Sequence, residues 1–315
     1  MLRRLFPAFV LLAFFAACQR PQRPRIGVVP KATAHLFFMA IRAGVNQAAQ
    51  ESQLDVIWNG PSEETDHPRQ IQILDSLIAQ RIDGIAISAT DERALAAPVA
   101  RALAAGIPVV SFDSGVQAPG LSSFIATDNH GGGVIAARRI AALVHDRGEV
   151  AMLMQKPGGT STVLREQGFE QTLRDYFPQV RIVARQYGMA DAAKSRAAAE
   201  NILSAHPELD AIFASSEAAS LGAIQALRAR ALSGKVRLVT FDSSDTHVEA
   251  LRDGTISLML VQDPYRIGYE AVKALAEKLQ HKMPPARLDL PVREITRPDL
   301  DKPEIQRLLK PPLVR

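Results

Sequence analysis

The stretch DGIAISAT at residues 83–90 and the stretch VVSFDS at residues 109–114 decide the fold, because the chain repeats both. The second copy reads DAIFASS at 210–216 and LVTFDS at 238–243. Each copy predicts a strand, a helix rich in small and apolar residues, and a strand that ends on an aromatic residue, a carboxylate and a hydroxyl. Ligands of open parallel sheets bind at the carboxyl ends of strands, so the two carboxylates are expected to face one shared cleft. The alternative is that α/β strands commonly end in this way.

Strand and helix patterns alternate along the rest of the body. This alternation predicts an α/β fold with two doubly wound parallel sheets, each in its own lobe. The tail after the second series returns to the first lobe and then to the second, so the chain crosses between the lobes three times and forms a three-crossing hinge. We expect residues 25–127 plus 263–287 to form lobe 1 and residues 128–262 plus 288–315 to form lobe 2.

Residues 1–17 have the pattern of an export signal. Two arginines precede an apolar run over 5–15, which is shorter than the roughly 20 residues of a membrane span. Small residues stand directly before Cys18, as in a bacterial lipobox, so lipidation of Cys18 is predicted; the alternative is an ordinary signal peptide with an incidental cysteine. Residues 18–24 would then tether the body to a membrane of the cell envelope, and Gln19 favours the outer membrane in a Gram-negative cell.

Composition and motifs exclude several function classes. The net charge is +4, and the 37 Lys and Arg residues are scattered, so no nucleic-acid partner is indicated. The seven His residues show no paired spacing, and the single cysteine has no partner, so no metal site is expected. The glycine-rich stretches 131–133 and 156–161 lack the spacing of a phosphate loop, and no G-x-S-x-G motif is present. Neither a cofactor nor an enzymatic activity is therefore expected.

A series of motifs carries a family resemblance over residues 25–309. The motifs lie at 27–31, 35–38, 112–115, 125–129, 159–169, 241–242 and 261–269. In this order and spacing they resemble the type I periplasmic solute-binding proteins, the ribose-binding-like group of substrate-binding lipoproteins of sugar ABC transporters. The resemblance implies the periplasmic binding protein-like I fold, an extracytoplasmic monomer, a sugar or polyol ligand held between the lobes, and an ABC transporter permease as partner.

The same resemblance implies a set of ligand-binding residues. They are Lys31, His35, Phe37, Phe38, Asp113, Ser114, Arg165, Ser216, Asp242 and Gln262. The two phenylalanines would stack on the apolar face of a sugar ring, and the alternative for each is a place in the helix core. Asp113 and Asp242 would accept hydrogen bonds from ligand hydroxyls, although Asp242 could instead cap the segment that follows it. For Arg165, a contact to the ligand and a brace within its lobe are equally open.

The chain departs from the family pattern at Ser216, where asparagine is frequent, and at Val163, where the ribose-binding group has arginine. We therefore expect a ligand other than ribose, among pentoses, hexoses, polyols and nucleosides. A sensor that signals to a membrane kinase or chemoreceptor would use the same fold and remains the main alternative. A transcription regulator with this core is disfavoured by the export signal and by the absence of an N-terminal helix-turn-helix.

Overall fold

The computed structural model describes residues 23–310. The predicted export signal, Cys18 and most of the predicted tether lie outside the described residues, as do residues 311–315. No helix between residues 23 and 310 has both the length and the apolar character needed to cross a bilayer.

Six parallel strands form the sheet of lobe 1, in the order β11-β5-β4-β3-β1-β2. The strands are β1 (Arg25–Val29), β2 (Asp55–Trp58), β3 (Gly84–Ile87), β4 (Val109–Phe112), β5 (Ser123–Thr127) and β11 (Arg287–Leu290). Its helices are α1 (Leu36–Glu51), α2 (His67–Ala79), α3 (Ala96–Ala104) and α9 (Pro264–Leu279). The helices α1 and α9 cover one face of the sheet and α2 and α3 cover the other, so both faces carry an apolar core.

The sheet of lobe 2 has the order β12-β10-β9-β8-β6-β7, and only its edge strand β12 runs antiparallel. The strands are β6 (Gly148–Met154), β7 (Val180–Tyr187), β8 (Ala211–Ala214), β9 (Arg237–Phe241), β10 (Leu258–Val261) and β12 (Arg293–Ile295). Its helices are α4 (Asn129–Leu143), α5 (Thr160–Tyr176), α6 (Ala192–Ala205), α7 (Glu217–Ala229), α8 (Asp245–Arg252) and α10 (Pro303–Leu309). Apolar cores again lie on both faces. The predicted α/β architecture of two doubly wound lobes is confirmed.

The third crossing between the lobes differs from the expectation. The predicted boundary between residues 287 and 288 cuts through β11, which pairs with β5 as far as Leu290 opposite Thr127. The chain joins the other sheet at Arg293, which pairs with Val261 of β10. Residues 288–290 therefore belong with lobe 1, because their backbone hydrogen bonds go to its sheet.

Helix α4 begins five residues before the position that the sequence favours. Three glycines at 131–133 favour a helix that starts only at Val134, because glycine weakens a helix interior. The helix nevertheless starts at Asn129 and contains all three. A Cβ on Gly133 would lie 2.0 Å from the backbone oxygen of Arg165 in α5. Close packing of α4 on α5 therefore requires glycine at this position.

Candidate ligand-binding site

The two copies of the repeated motif end in the same backbone conformation. Asp113 follows β4 and Asp242 follows β9, and both have a positive φ, 55° and 71° respectively. Aspartate tolerates this left-handed region better than most residues other than glycine. The turn directs both carboxylates into the space between the lobes, where Asp113 is 2% and Asp242 8% exposed. The repeat therefore predicted a real structural equivalence.

Nine of the ten predicted ligand-binding residues line one pocket between the lobes. They are Lys31, His35, Phe37, Phe38, Asp113, Arg165, Ser216, Asp242 and Gln262. Ser114 is the exception, because it is fully buried behind the wall, where its Oγ lies 3.1 Å from Lys31 Nζ.

A buried charged network forms the wall contributed by lobe 1. Lys31 Nζ lies 3.1 Å from Asp113 Oδ2 and 3.7 Å from Glu64 Oε2. The hydroxyl of Ser88 donates to the same Asp113 oxygen at 2.8 Å. Burial acts to lower the pKa of Lys31, but the negative charges of Asp113 and Glu64 outweigh it and raise the pKa overall. The network therefore holds Lys31 as a cation inside the cleft.

The wall contributed by lobe 2 is organised around Arg165. Its Nε donates to Asn129 Oδ1 at 2.8 Å, and its Nη1 donates to the backbone oxygen of Ser215 at 2.9 Å. The guanidinium lies 3.9 Å from the ring centroid of Phe241, and its Nη1 lies 3.9 Å from Asp242 Oδ2. Arg165 thus braces lobe 2 and also faces the cavity, so the two roles proposed for it are compatible.

Asp242 is not the cap of the helix that follows it. Ser244 caps α8, with its Oγ accepting from the backbone N–H of His247. Asp242 instead accepts from the backbone N–H of Glu217 at 3.0 Å and from Gln262 Nε2 at 2.6 Å. Gln262 Oε1 in turn accepts from Thr127 Oγ1 at 2.6 Å. This hydrogen bond joins the end of β5, just before the first crossing, to the residue that follows β10, just before the second crossing. The carboxylate is held in place through contacts that reach the hinge.

Phe37 and Phe38 form the aromatic part of the cavity. Their rings meet edge to face, with centroids 5.3 Å apart and an interplanar angle of 85°. Phe38 is 1% exposed and also belongs to the core of lobe 1, so the core alternative holds for it in addition to its place at the cavity. Phe37 is only partly buried and presents more of its surface to the cleft.

A family model described as "Periplasmic binding protein domain" matches residues 26–283. The chain belongs to this family. Its relatives are binding proteins of transport systems and not enzymes, which agrees with the prediction for this chain. Membership also implies an extracytoplasmic location.

Several relatives cover most of the chain. The D-ribose/D-allose-binding protein of Pseudomonas aeruginosa is 29% identical over 269 residues, which cover 81% of this chain and 84% of that protein. A carbohydrate transporter solute-binding protein from Agrobacterium radiobacter, in complex with D-arabinose, has a TM-score of 0.88 at 30% identity and covers 91% of this chain and 99% of its own. An ABC transporter solute-binding protein from Agrobacterium vitis, bound with α-D-tagatopyranose, has a TM-score of 0.88 at 28% identity and covers 92% and 100%.

Six further residues line the cavity of this periplasmic binding protein and were missed by sequence reasoning. They are Glu64, Gln155, Ser161, Thr162, Glu217 and Ala218. Most lie in loops or at the first turn of a helix, where no periodicity marks them. Glu217 directly follows the DAIFASS stretch of the repeat, and this position is the one sequence feature that could have indicated it as a site residue.

Glu217 gives the wall of lobe 2 an unusual electrostatic character. Burial and the nearby charge of Asp242 raise the pKa of Glu217 to about 7. Its neighbour Ser216 caps α7 and donates its hydroxyl to Gln155 Oε1, so this serine is engaged within its own lobe. The cavity therefore combines buried cations, carboxylates and an aromatic platform. Such a surface can bind a small molecule that carries several hydroxyls and an apolar face.

Proposed function

We propose that this chain is an extracytoplasmic receptor that binds a monosaccharide-sized polyhydroxyl compound between its lobes and delivers it to the permease of an ABC importer. One observation carries the proposal: Asp113 and Asp242, one from each lobe, line the same pocket between the lobes together with Phe37. A ligand held in this way contacts both lobes only when they are closed.

The proposed roles follow from the chemistry of each side chain. Asp113 and Asp242 accept hydrogen bonds from ligand hydroxyls, and Lys31 and Arg165 donate to ring or hydroxyl oxygens. Phe37 stacks on the apolar face of the ring. The relatives bind ribose, allose, arabinose or tagatopyranose, which supports a sugar as the ligand class.

Binding and closure are coupled in this proposal. Open and closed forms interconvert about the three crossings, and the ligand favours the closed form because only there do both walls touch it. The closed form then presents surfaces of both lobes side by side to the permease. The receptor acts as a monomer in this scheme.

We further propose that lipidation of Cys18 anchors the mature protein to the cell envelope, with residues 18–24 as the tether. Gln19 supports an outer-membrane anchor in a Gram-negative cell. A Cys18→Ser variant should leave the membrane fraction and appear in the soluble periplasmic fraction. Equal partitioning of the variant and the wild type would overturn the anchor.

The ligand class is tested by thermal unfolding of residues 25–315 with a panel of sugars, polyols and nucleosides. A true ligand at about 100 times its dissociation constant stabilises the folded protein by about 2.7 kcal/mol. The variant Asp113→Asn is the matched control, because it removes one carboxylate charge at the cavity and should lose most of the shift. A well-folded protein that responds to no member of the panel would contradict the proposal and point to another ligand class.

A further inference from the structure

A short loop of lobe 2 forms hydrogen bonds with lobe 1 at a distance from the hinge. We define the closing loop as residues 156–160, which follow β6 and end with Thr160, the first residue of α5. Lys156 Nζ donates to the backbone oxygen of Thr90 at 2.5 Å, and the backbone N–H of Gly115 donates to Thr160 Oγ1 at 2.7 Å. The backbone N–H of Glu92 donates to the oxygen of Gly158 at 3.1 Å. All three hydrogen bonds run directly from one lobe to the other.

The position of the closing loop in the sheet makes it sensitive to opening. It follows β6, which is separated from the hinge strand β10 by β9 and β8. Three strand spacings place it about 14 Å from β10. Rotation about the hinge therefore separates the closing loop from lobe 1, and the three hydrogen bonds exist only in the closed form.

The partner surface on lobe 1 is firmly held. The backbone N–H of Thr90 donates to Gln70 Oε1 at 2.8 Å, and Gln70 is completely buried. Gln70 Nε2 also donates to the backbone oxygens of Pro30 and Ser88. The oxygen that receives Lys156 is thus in place before the lobes meet, which reduces the entropic cost of forming the contact.

Gly158 is fitted to the closed interface. Its φ is 83°, and a Cβ built on it would lie 2.0 Å from Asp91 Oδ2 across the interface. Gly254 in the same lobe has a nearly identical φ of 85°, but a Cβ there would meet nothing within 4 Å. An alanine at either position carries the same backbone strain, and only the one at 158 also requires the Asp91 side chain of lobe 1 to move when the lobes close.

The amine of Lys156 is buried by the contact. The residue is 2% exposed, and burial lowers the pKa of Lys156 to about 8. Removing a lysine from water is costly unless its hydrogen bonds are replaced, so the Thr90 oxygen is an important partner. None of Lys156, Gly158 and Thr160 lines the ligand cavity.

We infer that the closing loop is a latch that sets ligand affinity by holding the lobes closed, through residues that do not touch the ligand. This inference rests on the proposed function, because ligand affinity can be measured only if the chain binds a ligand between its lobes. Lys156 and Thr160 are positioning residues in this scheme. Ser161, the next residue, also contacts lobe 1, but it lines the cavity and is therefore not assigned to the latch.

Two substitutions remove the two latch hydrogen bonds that side chains of the closing loop make, with little change of shape. Lys156→Met keeps the length of the side chain and should weaken binding of a sugar identified by the panel about 10-fold, and Thr160→Val should weaken it about 5-fold. The loss should be seen as faster dissociation, because the contacts break only on opening. Lys235→Met, at an exposed lysine of lobe 2, is the control and should bind like the wild type.

A third substitution tests the steric side of the latch. Gly158→Ala should accelerate dissociation and enlarge the radius of gyration of the unliganded protein, whereas Gly254→Ala should do neither. Both should lower the free energy of unfolding by a similar amount, because both place alanine at a positive φ. This pair separates an effect on closure from an effect on folding.

The outcomes discriminate clearly. Faster dissociation in Lys156→Met, Thr160→Val and Gly158→Ala, with wild-type dissociation in both controls, supports the latch. Dissociation rates equal to the wild type in all three variants overturn it, even if the proposed receptor function holds. If no sugar binds, the proposed function fails separately, and small-angle X-ray scattering of the unliganded proteins decides: equal radii of gyration for wild type and the three variants overturn the latch, and larger radii in the variants support it.

Discussion

The two lobes place equivalent carboxylates at the cleft but surround them with different neighbouring groups. Asp113 in lobe 1 and Asp242 in lobe 2 have the same position after a strand and the same left-handed backbone. Asp113 receives a lysine and a serine hydroxyl on one oxygen. Asp242 accepts hydrogen bonds from the side-chain amide of Gln262 and from the backbone N–H of Glu217 at the start of α7, and the Arg165 guanidinium lies 3.9 Å away. The repeat thus determines where each carboxylate points, and the surrounding loops determine how strongly its charge is balanced.

The helix pairs extend this comparison. In lobe 1 a Cβ on Gly268 of α9 would lie 2.1 Å from the oxygen of Ile41 in α1. In lobe 2 a Cβ on Gly133 of α4 would lie 2.0 Å from the oxygen of Arg165 in α5. Both lobes therefore bring two helices into backbone contact through a glycine, on one face of each sheet.

The largest expected effect comes from substituting these glycines. Gly133→Ala and Gly268→Ala should each reduce the free energy of unfolding by about 4 kcal/mol, because the obstructing atoms are backbone and cannot move without separating the helices. Urea denaturation followed by circular dichroism measures the loss. Gly159→Ala is the control, since its nearest neighbour would be 3.7 Å away and its φ is −85°. If only one lobe responds, the two helix pairs are not equivalent.

A second prediction compares the two carboxylates. Asp113→Asn and Asp242→Asn should each weaken ligand binding by about 3 kcal/mol, on the scale of losing a charged partner in a buried site. Asparagine is chosen because it tolerates the positive φ of both positions. Isothermal titration calorimetry with the ligand from the panel measures the change. Near-normal affinity in either variant would show that its lobe contributes little to the grip.

His247 provides a test that applies to lobe 2 alone, since the segment after Asp113 leads to β5 without a helix equivalent to α8. Burial lowers the pKa of His247 from 6.5 to about 4, and its Nε2 has no hydrogen-bond partner. The unfolded chain therefore takes up a proton near pH 6.5 and the folded protein only near pH 4. The free energy of unfolding should fall by about 2–3 kcal/mol from this group between those pH values.

The contribution of His247 is isolated by comparing pH series of unfolding. Glu166 and Glu217 act in the opposite direction, because their pKa values are raised to about 7. Because wild type and His247→Gln both contain these two glutamates, their contribution cancels when the free energies of unfolding of the two proteins are subtracted. This difference should shrink as the pH falls from 6.5 to 4. A constant difference for His247→Gln would exclude the predicted shift.

The smallest expected effect concerns the crossings themselves. Asp128 starts the first crossing and caps α4 of lobe 2, whereas Asp263 starts the second and caps α9 of lobe 1. Their carboxylates accept from the backbone N–H groups of Gly131 and Arg266 at 2.9 and 3.0 Å. Asp128→Ala and Asp263→Ala should each lower the free energy of unfolding by about 1 kcal/mol, because each removes a helix cap. Equal costs by thermal unfolding would extend the equivalence of the lobes to the hinge, and clearly unequal costs would limit it to the sheets.

Much of this molecule was predictable from local patterns. The alternation of strands and helices and the repeated Phe-Asp-Ser ending indicated two doubly wound lobes, and nine predicted site residues line one cavity. Glu64 and Glu217 were not predicted, because they lie in a loop and at a helix start where neither spacing nor periodicity distinguishes them. Their binding roles, like those of the predicted residues, stay predictions.

The sequence by itself determined the fold class, the repeat and the two carboxylates at the strand ends, because these depend on periodicity and on the backbone preferences of a few residues. Only the tertiary structure decided that the glycines at 131–133 lie inside a helix, that β11 extends to Leu290, and that Lys156 reaches Thr90 of the other lobe. Each of these depends on contacts between segments far apart in the chain. Close packing and interstrand hydrogen bonds, which outweigh local preference, exist only once those segments meet.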